Sequence, residues 1–153
     1  HSSDLGKNKH KLRREASQNI QPALAALCQA YKEEGKIDAE AFAQVEKECE
    51  AICQAADKLI VSDENPALIA EITPWLIYFK QLGLYGQAVL HAMDVQKDGR
   101  QSLEDALEKA RLQRTWMEQT GKHLNEKASQ PGVKCGDRYL LPAFDELLKA
   151  ASK

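Results

Sequence analysis

The stretch from Asn65 to Met93, NPALIAEITPWLIYFKQLGLYGQAVLHAM, constrains the chain more than any other. Leu68, Ile72, Trp75, Phe79, Leu82, Gly86, Val89 and Met93 follow one another at alternating steps of four and three. That spacing draws a single apolar stripe down a helix. Gly83 and Gly86 lie along it. The remaining segments read as helices that pack against this one.

Five helices are predicted. The first runs from about Ser17 to Glu33, with Pro22 in its first turn, where a missing N–H does no harm. Asn19 or Ile20 is then its expected start, and Gly35 its end. Asp38 is the expected N-cap of the second, with Ile37 and Phe42 as a hydrophobic staple. Its stripe is Phe42, Val45, Cys49, Ile52, Ala56 and Leu59. In the third helix Asn65 is the expected cap and Pro66 the first residue. Pro74 falls inside the stripe, but the apolar phase does not slip across it, which favours one kinked helix over two. A reversal at Asp98-Gly99 leads to the fourth helix, opening at Ser102 with Asp105 as a near capping box. The loop from Ala128 to Asp137 precedes a fifth helix reaching about Ala150. The expected architecture is all-α: an up-and-down bundle of about five helices, residues 17–151, behind a polar basic entry segment, residues 1–16.

Composition narrows function by exclusion. A formal charge of −2 gives no global attraction to nucleic acid or anionic membrane, and no apolar run reaches the length of a membrane span. The run Lys7, Lys9, Lys11, Arg13 and Arg14 is basic but lacks interleaved aromatics, so it reads as a linker or docking arm. Neither nucleic acid nor membrane is expected as a partner. No Glu-x-x-His pair, HExxH or zinc spacing occurs, and neither a GxSxG elbow nor a glycine-rich phosphate loop is present. No metal, cofactor or catalytic residue is expected. Cys28, Cys49, Cys53 and Cys135 read as small buried apolar groups, with a disulfide from Cys28 to Cys49 or Cys53 as the alternative. The compartment stays open.

Two stretches stand out. Trp75, Tyr78 and Phe79 crowd three aromatics together, and Tyr78 falls off the stripe, where it is expected to reach a partner surface or to carry a hydrogen bond through its hydroxyl. Gln130-Pro131-Gly132-Val133-Lys134 is a Pro-Gly turn in the longest loop.

These stretches carry a resemblance. EITPW at Glu71–Trp75 with Phe79, Gly86 and Leu90, and QPGVK at Gln130–Lys134 with Arg138 and Pro142, resemble the helical post-catalytic domain of family 84 glycoside hydrolases. These are bacterial β-N-acetylglucosaminidases, some once called hyaluronidases. RREAS at Arg13–Ser17 is similar to the family's entry into the domain. The resemblance implies a domain excised from a longer chain, whose (β/α)8 barrel precedes it and carries catalysis on adjacent aspartates. No Asp-Asp dipeptide occurs here, so no catalytic residue transfers. The implied partners are that barrel and a second copy in a homodimer. The candidate interdomain contacts are Arg13, Arg14, Tyr78, Gln130, Gly132, Lys134 and Arg138. An exported location follows if the source is bacterial. The other class of function considered is a free-standing helical interaction module with no enzymatic parent.

Overall fold

A computed structural model describes residues 2–60, 66–127 and 140–153, leaving aside the side chains of 2–10, 12, 13, 17, 60, 68, 69, 71, 72 and 125–127. Among the described residues the chain is a bundle of five helices without strands. These are α1 (Ser2–Glu34), α2 (Ala39–Ile60), α3 (Pro66–Asp94), α4 (Arg100–Lys127) and α5 (Leu140–Ala151), with a 3-10 turn at Val95–Asp98. Each of α1 to α4 packs against its neighbour in sequence, and α5 returns to lie against α1 and α3.

The third helix is central in space as well as in pattern. It touches α1, α2, α4 and α5. Phe79, Leu82, Val89 and Met93 of the stripe are buried, but so are Leu76, Tyr78, Tyr85, Leu90 and Ala92 off it. A helix enclosed on several sides buries more than one stripe. Its start at Pro66 agrees with expectation, and it passes through Pro74 without a break. The carbonyl that Pro74 cannot serve belongs to Ala70, an exposed residue, so water can satisfy it.

The close approach of α2 to α3 depends on Gly83 and Gly86. A Cβ on Gly83 would lie 2.7 Å from Cys53 Sγ and 2.8 Å from the Cys49 carbonyl oxygen. On Gly86 it would lie 2.6 Å from Cys49 Sγ and 2.7 Å from Cζ of Phe144. Nothing larger than hydrogen fits at either place.

The start of α1 differs from expectation. The helix does not begin at Asn19 or Ile20 but runs from Ser2 through Pro22, and the entry segment is its first half. Pro22 is exposed, as is Gln18, whose carbonyl loses a donor to solvent rather than to the core. Tertiary contact holds the upstream part: Ala16 is buried with Ile52 and Phe79, with Trp75 packed beside them. Beyond Pro22, Leu24, Leu27 and Tyr31 continue the buried face begun by Ile20. Gly35, at φ +66°, ends the helix, its N–H donating to the Tyr31 carbonyl at 3.1 Å.

At α2 the Asp38 cap forms as expected: the Ala41 N–H donates to Asp38 Oδ1 at 3.1 Å. The α4 start is a second correction. The helix opens at Arg100, two residues before Ser102, and the Leu103 N–H donates to the Gly99 carbonyl at 3.2 Å. Asp105 instead accepts from Gln101 Nε2 at 3.0 Å, one turn back on the exposed side. The loop of residues 128–139, including Cys135, and the proposed cap Asn65 lie outside the described residues.

Candidate functional site

Among the described residues a polar cluster joins three helices. Asp145 of α5 accepts two hydrogen bonds from Arg114 of α4, Nε to Oδ1 at 2.9 Å and Nη2 to Oδ2 at 3.1 Å. Tyr85 of α3 donates its hydroxyl to Asp145 Oδ1 at 2.6 Å. Arg114 also pairs with Glu118, 3.3 Å away on its own helix. The paired Arg fork fixes the carboxylate's orientation as well as its charge. Tyr85 itself is fully buried, its ring set edge-on to Phe144 at 6.2 Å.

This cluster is built for holding rather than for proton transfer. Burial, together with the hydrogen bond to Asp145, pushes the Tyr85 phenol far above its ordinary value. The hydrogen bond to Asp145 likewise raises the Arg114 guanidinium. Both groups therefore keep their protons at neutral pH. Asp145 is occupied by both partners, a phenol and a guanidinium, rather than by the second acid that paired-acid hydrolysis requires. Among the described residues no three His, Cys, Asp or Glu side chains come together as a metal site.

The described cysteines are free thiols. The alternative of a bridge from Cys28 to Cys49 or Cys53 is thereby set aside. Burial pushes the Cys28 thiol up to about 11 and drives Cys49 and Cys53 upward as well. Reactive thiols need the opposite shift. Cys53 Sγ instead donates to the Lys80 carbonyl at 3.6 Å, and Cys28 Sγ to the Ala143 carbonyl at 3.9 Å.

A groove of about 560 Å³ opens where the C-terminal ends of α1 and α5 meet the 3-10 turn. Tyr31, Lys32, Gln96, Glu146, Lys149 and Lys153 line it. Four of these side chains are mutually engaged or tied to the backbone. Tyr31 donates to Gln96 Oε1 at 2.7 Å, Gln96 Nε2 to the Ala151 carbonyl at 2.9 Å, and Lys32 pairs with Glu146 at 3.1 Å.

The candidate contact residues fall in different places. Arg14 is exposed on α1, and Arg13 belongs to the same helix with its side chain outside the described set. Gln130, Gly132, Lys134 and Arg138 also lie outside the described residues. Tyr78 is a correction: it is 3% exposed and offers no ring to a partner. Its position off the α3 stripe points it at α4, where a Cβ on Gly121 would meet its ring at 3.2 Å. Among the described residues the large apolar side chains that reach solvent are Ile37, Ile77, Leu84, Leu112 and Trp116, and all but Ile37 lie on α3 or α4.

The architecture has a counterpart among known families. The model of the post-catalytic domain of bacterial GH84 proteins matches residues 16–148, most of the chain. Its start coincides with Ala16, the first buried residue among those described on α1. The chain belongs to the family of helical post-catalytic domains of bacterial GH84 proteins.

Proposed function

We propose that this domain is the non-catalytic companion of a β-N-acetylglucosaminidase that removes terminal β-linked GlcNAc, supporting the enzyme's catalytic barrel or its dimer. The observation that carries the reading is the family match over residues 16–148, to a domain defined by its place after a catalytic one. The chemistry is consistent with it. The Tyr85–Asp145–Arg114 cluster is engaged by its own members, and the thiols of Cys28, Cys49 and Cys53 are raised by burial and stay protonated.

The partner in this reading is the barrel of the same parent chain. Arg13 and Arg14 on α1, and the loop bearing Gln130, Gly132, Lys134 and Arg138, are proposed to meet it. Enzyme chemistry would then reside wholly upstream. The test is the coding sequence before His1. It is expected to encode a (β/α)8 barrel with an adjacent pair of aspartates at the ends of its strands. An upstream sequence without such a domain would favour the free-standing interaction module instead.

A further inference from the structure

Alternating chain direction brings four helix ends together. The chain runs one way along α1 and α3 and the other way along α2 and α4. The start of α1, the close of α2, the start of α3 and the close of α4 therefore share one end of the bundle. Contacts mark that end. Ala16 of α1 is buried with Ile52 of α2 and Phe79 of α3, with Trp75 packed beside them. Tyr78, next to Phe79, meets α4 at Gly121.

The two ends are finished differently. At the far end Gly35 and Gly99 turn the chain with positive φ. There Tyr31 donates to Gln96, Gln96 donates to the Ala151 carbonyl, and Lys32 pairs with Glu146. Those contacts tie α1, the 3-10 turn and α5 to one another. At the entry end Arg14 of α1 and Lys122 of α4 stand exposed, and among the described residues neither has a carboxylate partner. Ala67 and Ala70, in the first turns of α3, are exposed as well. Small apolar side chains with cations around them suit a contact with a polar rim.

The place where the chain arrives selects the occupant. The family match begins at residue 16, so a catalytic domain that precedes this one hands the chain over at Ala16, at the entry end. A covalently linked partner meets surface near the joint at an effective concentration near millimolar, and that advantage falls with distance. The far end is a helix length away: α3 has 29 residues, about 43 Å at the usual rise.

We infer that the preceding catalytic domain seats on the end of the bundle where α1 enters, against the first turns of α3 and the last turns of α4, and that it presents carboxylates to Arg14 and Lys122. The inference rests on the reading of this domain as a companion of that enzyme. It adds which end is covered, and it brings in α4, which is remote from the joint in sequence.

The test is carbodiimide coupling of the full parent chain, read by peptide mass spectrometry. The reagent joins a lysine to a carboxylate in contact with it. Lys122 should couple to carboxylates of the catalytic domain at several-fold the yield of Lys36, Lys97 or Lys149, which are exposed at the far end. Coupling from the far-end lysines instead, or equal coupling from both ends, overturns the inference and leaves the companion role standing. Silence at Lys122 does the same. Coupling of Lys122 only between differently isotope-labelled copies assigns this end to a second copy and also overturns it. A parent gene with no catalytic domain before this one would instead count against the companion role itself.

Discussion

Replacing Gly83 with alanine is expected to destabilise the domain by about 2–3 kcal/mol, although alanine is the better helix former. At an exposed helical site the same exchange would gain up to about 1 kcal/mol. Here the new methyl would sit 2.8 Å from the Cys49 carbonyl oxygen and 2.7 Å from Cys53 Sγ. The thiol can turn away; the carbonyl belongs to the α2 backbone and cannot. Relief requires α2 and α3 to move apart along their most extensive contact. That opens space around Cys49 and Ile52, both buried. In thermal unfolding the loss should appear as a fall of roughly 5–10 °C for a domain of this size. Urea unfolding should show a lower midpoint with an unchanged slope. Gly121→Ala is the control. Its methyl would meet only a Tyr78 ring carbon at 3.2 Å, so its effect should be much smaller. A Gly83→Ala variant as stable as the parent would mean that the two helices are not this close.

Removing the carboxylate of Asp145 is the other large perturbation. Asp145→Ala leaves Arg114 and Tyr85 facing each other without the acceptor that joins them. Breaking a fully buried ion pair costs about 3–5 kcal/mol. Side-chain exposure is 25% at Arg114 and 39% at Asp145, so solvent takes up part of that cost. The expected loss is about 2 kcal/mol, read by urea unfolding at pH 7. Asp145→Asn should lose less, because its amide oxygen can still accept from Tyr85. The pH dependence has a definite sign. Tyr85 and Cys28 both have folded-state values raised above their ordinary 10.0 and 9.0. Groups shifted upward contribute stability that is intact below the ordinary value and is lost as pH rises toward the folded one. The domain should therefore keep its stability up to about pH 9, then lose it progressively on the alkaline side as unfolded thiols and phenols ionise. Flat stability from pH 9 to 11 would contradict the burial of Cys28.

Features written in local sequence were legible. The Asp38 cap, the Pro66 start and the reversal before α4 depend on residues within one or two turns. So did the helix count, because each apolar stripe repeats several times. What failed depended on contacts made at a distance. Pro22 is a strong local start signal, yet Ala16 gains neighbours on α2 and α3 that carry the helix through it. Ser102 lost its capping role because the chain already turns at Gly99. Tyr78 looked outward only if α3 buried one face, whereas α4 covers a second.

The candidate site divides the same way. Family membership was legible in EITPW and QPGVK. The Tyr85–Asp145–Arg114 cluster was not, because its members lie 60 and 31 residues from Asp145 on separate helices. One trace of it does exist in sequence: Asp145 follows Phe144 on the flank of the α5 apolar face, an uncommon place for an unpaired acid. The exposure of Ile77 and Leu84 escaped notice because they read as ordinary members of a greasy helix. Only the arrangement of α2 and α4 around α3 reveals which of its side chains are left uncovered.

As a companion domain the bundle is expected to carry no hydrolytic machinery of its own. Hydrolysis of a chromogenic β-GlcNAc glycoside by the purified 153-residue chain measures that directly. Turnover indistinguishable from buffer is the expected result, with full activity in the parent enzyme under the same conditions. Hydrolysis that co-purifies with the isolated chain, and that persists through an independent second preparation, would contradict it.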